Sequence, residues 1–332
     1  MQLYLDTFGA SLRVKNKMFW VKPSRSDGRL IPVREVNSIF LTKGIHVSTD
    51  ALLLAIRHNI PVLLIDGLGR MVGQVWDGQY GSIATIRKQQ ALLANNEQGL
   101  LWVRDLLVLK LERQRGLLSK WLEISKGGNR DKLDGGIRVI YNMEQKLRQF
   151  SGGLVDKKAA EASFRGWEGT ASRHYFVALS ELLPLKYQFK NRTKRPAYDA
   201  FNALLNYMYA ILYAQVHLSL MKAGLDPYMG IFHADQHRKP TLVYDVIEIY
   251  RYWIEEVALR LCCEDKLPND AFVMPDAKTG IWLNRSAKPI VVNTCLSFLN
   301  EKVVYQGHLR KRLTHIDLDA QRWATQIRSF EF

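Results

Sequence analysis

Over roughly the first 80 residues, apolar positions come in short runs broken by turn-forming residues. Leu3 to Phe8, Leu12 to Val14, Met18 to Val21, Val36 to Leu41, Val62 to Ile65 and Met71 to Trp76 have the length and spacing of strands. Gly9, Pro23, Asp27-Gly28, Gly44, Asp66-Gly67 and Gly69 fall between them. Ser48 is placed to cap a short helix running through Ala51, Leu52, Ala55 and Ile56. Ile60-Pro61-Val62 then returns the chain to a buried strand. The pattern predicts a small β-rich unit with one helix tucked in.

From Ile83 the period changes. Leu92, Leu93, Leu100, Leu101, Val103, Leu107, Val108, Leu111, Leu117, Leu118 and Leu122 recur at helical spacing, with Arg104, Lys110, Arg113, Arg115 and Lys120 decorating the helices. Lys126 to Gly136 is polar and glycine-rich and reads as a loop, followed by a helix through Ile140, Met143 and Leu147. Most of the remainder reads as helical. The exception is Phe272 to Ile290, where Pro275, Gly280 and Pro289 surround short apolar pieces. The expected class is α+β: a small N-terminal β-rich domain over residues 1–83, then a larger all-helical domain over 84–332, with the boundary near 80 to 85.

A chain of 332 residues is long enough for two cores. Its 47 Lys and Arg against 32 Asp and Glu give a net charge of +15, and the cations come in clusters, which favours a polyanionic partner. Three cysteines, Cys262, Cys263 and Cys295, without a CxxC spacing, argue against a cysteine zinc site and do not read as a disulfide framework. Met1 to Leu5 opens directly on a strand pattern, and no apolar run is long enough to span a bilayer. A cytoplasmic protein is expected.

Three regions of the helical half carry candidate chemistry. In Phe164 to Phe176, Glu168 sits between Gly166 and Gly169, where small residues permit close approach of another backbone or a DNA strand. A lone helical glutamate is more often solvated or salt-bridged. Lys190, Arg192, Lys194 and Arg195 precede a helix whose buried stripe is Phe201, Leu205, Met208 and Leu212. Beside carboxylates in a basic chain, this run reads as a phosphate clamp, although a solvated loop has the same composition. Arg165 and Tyr209 complete the candidate DNA contacts, while tyrosines such as Tyr207, Tyr209 and Tyr213 more often pack than stack on bases. In the third region, Gly224 to His233 leads to Thr241 through Glu248, where Asp245 and Glu248 share a face of an otherwise apolar helix. Carboxylates beside a core need a counter-charge. Spacing alone leaves a buried ion pair with Arg251 or Arg238 and a metal site equally open.

Together these blocks resemble the CRISPR-associated spacer-acquisition integrases, the Cas-one family. Glu168-Gly169-Thr170-Ala171, Asn202 to Tyr209, Gly224 to His233 and Leu242 to Glu248 stand in the family's order and spacing. Val36 to Ile39, Ile45 to Ala51 and Ile60 to Val62 match in the β half. Thr241 stands where the family often has serine, and Tyr252 where it often has proline. The resemblance implies Glu168, His233 and Glu248 as catalytic metal ligands, with Asp245 supporting them. It implies Mg2+ or Mn2+ as the cofactor, since two carboxylates and an imidazole suit a hard or borderline ion.

The implied activity is metal-dependent cutting of DNA and joining of prespacer 3′-hydroxyl ends to repeat and leader DNA. Implied partners are a second copy, through the β-rich domain, and a small ferredoxin-like CRISPR-associated protein, Cas-two. A stand-alone structure-selective repair nuclease would use the same residues, and an inactive DNA-binding scaffold would keep the charge without the metal.

Overall fold

Short runs with a buried alternate face become strands in the N-terminal unit, Met1–Ser82. The computed structural model describes the chain apart from residues 25, 68, 76–82, 125–129, 153–155, 234, 235, 238, 275, 277, 278 and 331–332. In order, the unit contains β1 (Gln2–Leu5), β2 (Ser11–Lys15), β3 (Met18–Lys22), β4 (Arg29–Ile31), β5 (Ser38–Leu41), β6 (His46–Val47), α1 (Thr49–Arg57), β7 (Val62–Ile65) and β8 (Met71–Val75). They form two four-stranded sheets, in the orders β1-β5-β7-β8 and β4-β3-β2-β6. β1, β5 and β7 run parallel, and β5 is buried at every position, as a strand covered on both faces should be. Leu3, Leu12, Phe19, Ile39, Val62 and the small face of α1, Ala51 and Ala55, close one core.

Ser48 caps α1 as expected, its hydroxyl accepting from Ala51 N–H. β4 and β6 were not expected, because three and two residues carry too little periodicity to register. The first run stops at Leu5, and Phe8 is exposed. Trp76, the expected end of β8, lies outside the described residues.

The second unit, Ile83–Phe332, holds α2 (Ile83–Leu93), α3 (Glu97–Ile124), α4 (Arg130–Gln149), α5 (Lys157–Glu181), α6 (Ala200–Lys222), α7 (Thr241–Ile247), α8 (Arg251–Cys263), β9 (Phe272–Val273), β10 (Trp282–Leu283), α9 (Ala287–Asn300), β11 (Lys302–Tyr305), β12 (His308–Lys311) and α10 (Arg312–Ser329). α6 is its central element, buried on nearly all sides from Phe201 to Leu220. Asp199 caps it, accepting from Asn202 N–H at 2.7 Å. No described helix is long and apolar enough to cross a membrane.

The α+β class holds, with the β-rich part first and the helices after it. Two expectations within it change. Arg130 to Gly136 is helix, not loop. A Cβ on Gly136 would come within 2.9 Å of Ala178 Cβ, so this glycine brings α4 against α5 rather than opening a turn. The β9–β10 ribbon falls in the stretch expected to depart from helix, and a second ribbon, β11–β12, interrupts the unit where helix was expected.

Candidate metal centre in the helical unit

Two helices bring charge into their own buried stripes. On α5, Phe164, Ala171, Tyr175 and Ala178 face inward, and Glu168 occupies the slot between the first two at the same helical spacing. On α3, Val103, Leu107, Gln114 and Leu117 form the inward stripe, and Lys110 sits within it. The Lys110 side chain is 4% exposed and lies 2.5 Å from Glu168 and 2.6 Å from Glu248. The sequence reading placed Lys110 among surface cations; its register with Val103 and Leu107 was the signal that it is not one.

Glu248 follows the last residue of α7 and is buried. Arg251, one turn on, pairs with its Oε1, and Lys110 approaches Oε2. Burial pushes the Glu248 carboxyl up, but the Arg251 and Lys110 cations outweigh it and hold the group well below the usual carboxylate range. The same opposition raises Lys110: burial lowers it, and Glu168 and Glu248 more than compensate.

Asp245 does different work. Its carboxylate is 1% exposed and accepts from the backbone N–H of Ile231 at 2.7 Å, Phe232 at 3.1 Å and His233 at 3.0 Å. It also meets His233 Nδ1 at 2.6 Å. A carboxylate in that position keeps the proton on Nδ1 and leaves the Nε2 lone pair free. Phe232 and Tyr244 stand edge-on to the imidazole, with ring centroids 5.7 and 6.0 Å away. Glu168, His233, Asp245 and Glu248 then line one cleft, walled by Val103, Leu106, Leu107 and Phe232.

Among the described residues no three His, Cys, Asp or Glu groups converge at ligating distance. Lys110 bridges Glu168 and Glu248 instead. The donor set nevertheless fits a divalent ion. It offers two carboxylates and an imidazole oriented through its other nitrogen. Glu248 Oε2 is buried without a well-aligned hydrogen bond, although Lys110 Nζ is 2.6 Å away. An ion binding these oxygens would take over the counter-charge that Lys110 now supplies.

The expected DNA contacts divide. Lys190, Lys194 and Arg195 are exposed, and Lys194 is near enough to Arg251, Glu248 and Lys110 to feel their charges. Arg192 is spent internally: it donates to Asn202 Oδ1 and Asn206 Oδ1, both at 2.7 Å, and lies over the Tyr209 and Phe176 rings. Arg165 donates to Phe232 O at 3.1 Å and covers that ring, bracing the residue before His233. Tyr209 does not face DNA. It is 5% exposed, its hydroxyl donates to Glu255, and Arg192 and Arg251 flank its ring. Arg238, one of the two partners considered for the acidic pair, lies outside the described residues. Arg251, the other, binds Glu248 rather than Asp245.

A two-sheet β unit followed by a helical unit makes this an α+β protein, and its fold is shared with solved structures. A casposase structure bound to an integration product superposes with a TM-score of 0.80 at 19% identity, covering 99% of this chain and 90% of that one. The chain belongs to the CRISPR-associated protein Cas1 family, whose model matches residues 3–297. A Thermus thermophilus protein named CRISPR-associated endonuclease Cas1 1 is 30% identical over 325 residues, 97% of this chain and 94% of its own length. An Archaeoglobus fulgidus protein of the same name is 26% identical over 318 residues, 92% of this chain and 90% of its own.

Proposed function

We propose that the chain is a CRISPR-adaptation integrase: a divalent-metal-dependent DNA endonuclease that also joins prespacer 3′-hydroxyl ends to repeat DNA by transesterification. The observation that carries the reading is that Glu168, His233 and Glu248 line one cleft, with Asp245 2.6 Å from His233 Nδ1. Membership of the Cas1 family and relatives named as endonucleases support it.

In this reading Glu168, Glu248 and His233 would hold Mg2+ or Mn2+, which would supply Lewis acidity at the scissile phosphate. Asp245 keeps Nδ1 protonated and the imidazole aimed. Arg251 keeps Glu248 ionised inside an apolar wall. Lys110, once its carboxylates are taken, offers its ammonium to phosphate oxygens in the same cleft. Lys190, Lys194 and Arg195 draw the DNA backbone toward it. The N-terminal unit serves homodimerisation, the small ferredoxin-like Cas2 protein is the further partner, and the assembly works in the cytoplasm.

The test is joining of a labelled 3′-hydroxyl fragment to repeat-bearing DNA by the protein with its Cas2 partner. Glu168→Ala and His233→Ala are expected to abolish products longer than the target strand while DNA binding persists. Joining at the unaltered level by both variants discards the site. Products exclusively shorter than the target from the unaltered protein favour the stand-alone repair nuclease instead.

A further inference from the structure

The β11–β12 ribbon lies beyond residues 3–297, the part matched by the family model, and the cleft makes no use of it. Its register pairs Lys302 with Lys311, Val303 with Arg310, Val304 with Leu309 and Tyr305 with His308. Strand alternation therefore puts Val303, Tyr305, His308 and Arg310 on one face and Lys302, Val304, Leu309 and Lys311 on the other.

The first face is firmly held. Tyr305 OH accepts from Arg113 Nη2 at 2.5 Å and donates to Asp319 at 2.9 Å, and its ring packs on His315 and Trp253. Arg312 pins the base: it donates to Phe298 O at 2.7 Å and Glu301 at 2.9 Å, with its guanidinium 3.5 Å from the Phe298 ring centroid. At the tip, Gln306 and Gly307 both have positive φ, 49° and 78°, as the tightest hairpin turn requires, and Arg322 holds the Gln306 side chain.

The second face has no such cover. Val304 is 73% exposed and Leu309 64%. Lys302 and Lys311 are exposed and have no ion-pair partner among the described residues, and no Asp or Glu occurs from 302 to 311. An apolar pair bracketed by unpaired cations, on a ribbon ordered at both ends, has the chemistry of a groove reader. Strands about 4.8 Å apart fit a major groove about 12 Å wide, where thymine methyls offer apolar contact. The unpaired cations match the phosphates on either side.

We propose that the β11–β12 ribbon is a docking arm for duplex DNA, with Val304 and Leu309 against base edges in the major groove and Lys302 and Lys311 on phosphates. The proposal rests on the reading that the chain acts on DNA, and adds a contact surface to it. Arg113, which holds Tyr305, lies on α3 three residues past Lys110 and donates to the carbonyl of Ile249, next to Glu248, at 2.5 Å. A duplex on the arm is thus held at a fixed position relative to the cleft.

The test measures binding of a fluorescent duplex to the full-length protein across a salt series. For Lys302→Ala/Lys311→Ala, weaker binding is expected, with a log–log salt slope smaller by about 1.8, about 0.9 for each lost phosphate contact. For Val304→Ser/Leu309→Ser the slope is expected to stay while affinity falls severalfold. If both variants match the unaltered protein in affinity and slope, the arm is wrong and the DNA reading stands. If the unaltered protein binds no duplex, both fall. Loss of oligomeric mass in Val304→Ser/Leu309→Ser would assign the apolar pair to a protein interface and also overturn the arm.

Discussion

Glu248 and Glu255 stand seven positions apart, one at the end of α7 and the other within α8, and are both buried, yet their surroundings differ completely. Glu248 is held by two cations, Lys110 and Arg251, and opens on a cleft. Glu255 is closed off: Tyr209 and Tyr175 each donate a hydroxyl to one of its oxygens. Burial raises Glu255, and the tyrosine hydrogen bonds only partly offset it. Cations therefore keep a buried acid ionised with its oxygens open to exchange, whereas hydroxyls turn an equally buried acid into a knot joining α5, α6 and α8.

The sharpest way to break this comparison is to exchange the two acids' fates by mutation. Glu248→Ala is expected to reduce DNA joining by more than ~100-fold, above the loss seen when the outer partner of a ligand is removed. Glu255→Gln, which keeps the volume and a hydrogen-bonding head, should leave joining near the unaltered level. Similar losses in the two variants would erase the distinction. A smaller effect is expected from Asp245→Asn, which releases the control on the His233 tautomer: metal affinity should weaken ~10–100-fold, read by calorimetric titration with Mn2+. Tyr175→Phe removes one donor from Glu255 and should lower stability by about 1.5 kcal/mol in urea melts, without moving the Mn2+ affinity.

The smallest effect is a slope with pH. The Glu255 carboxyl is raised in the folded chain, so above the ordinary carboxylate range the folded state binds more protons than the unfolded one. Its contribution to stability is present at lower pH and is lost as pH rises through the raised value. Glu255→Gln should flatten that part of the stability profile. An unchanged profile would mean that Glu255 is not the group responsible.

Much of this was legible in the chain and some was not, for physical reasons. The two-part architecture shows in the shift from short runs to helical period at Ile83. Glu168 and Asp245 could be picked out because each is a charge among residues that face inward. Lys110 has the same signature, but a lysine between arginines on a long helix looks like surface, and only the register with Val103 and Leu107 betrays it. The separate fates of Glu248 and Glu255 depend on Tyr175 and Tyr209, which lie 80 and 46 residues from Glu255. No local pattern carries such contacts. The same distance hides the burial of Tyr209. The β11–β12 ribbon was missed because helix on both sides and a four-residue strand length leave little period to read.

The central claim concerns the space between Glu168 and Glu248 that Lys110 now fills. Crystals of the full chain grown with Mn2+, measured at the manganese absorption edge, test it most directly. An anomalous peak within ligating distance of Glu168, Glu248 and His233 Nε2, with the Lys110 ammonium moved off the carboxylates, is the expected result. A clean map at saturating Mn2+, with Lys110 still bridging the two glutamates, would contradict it.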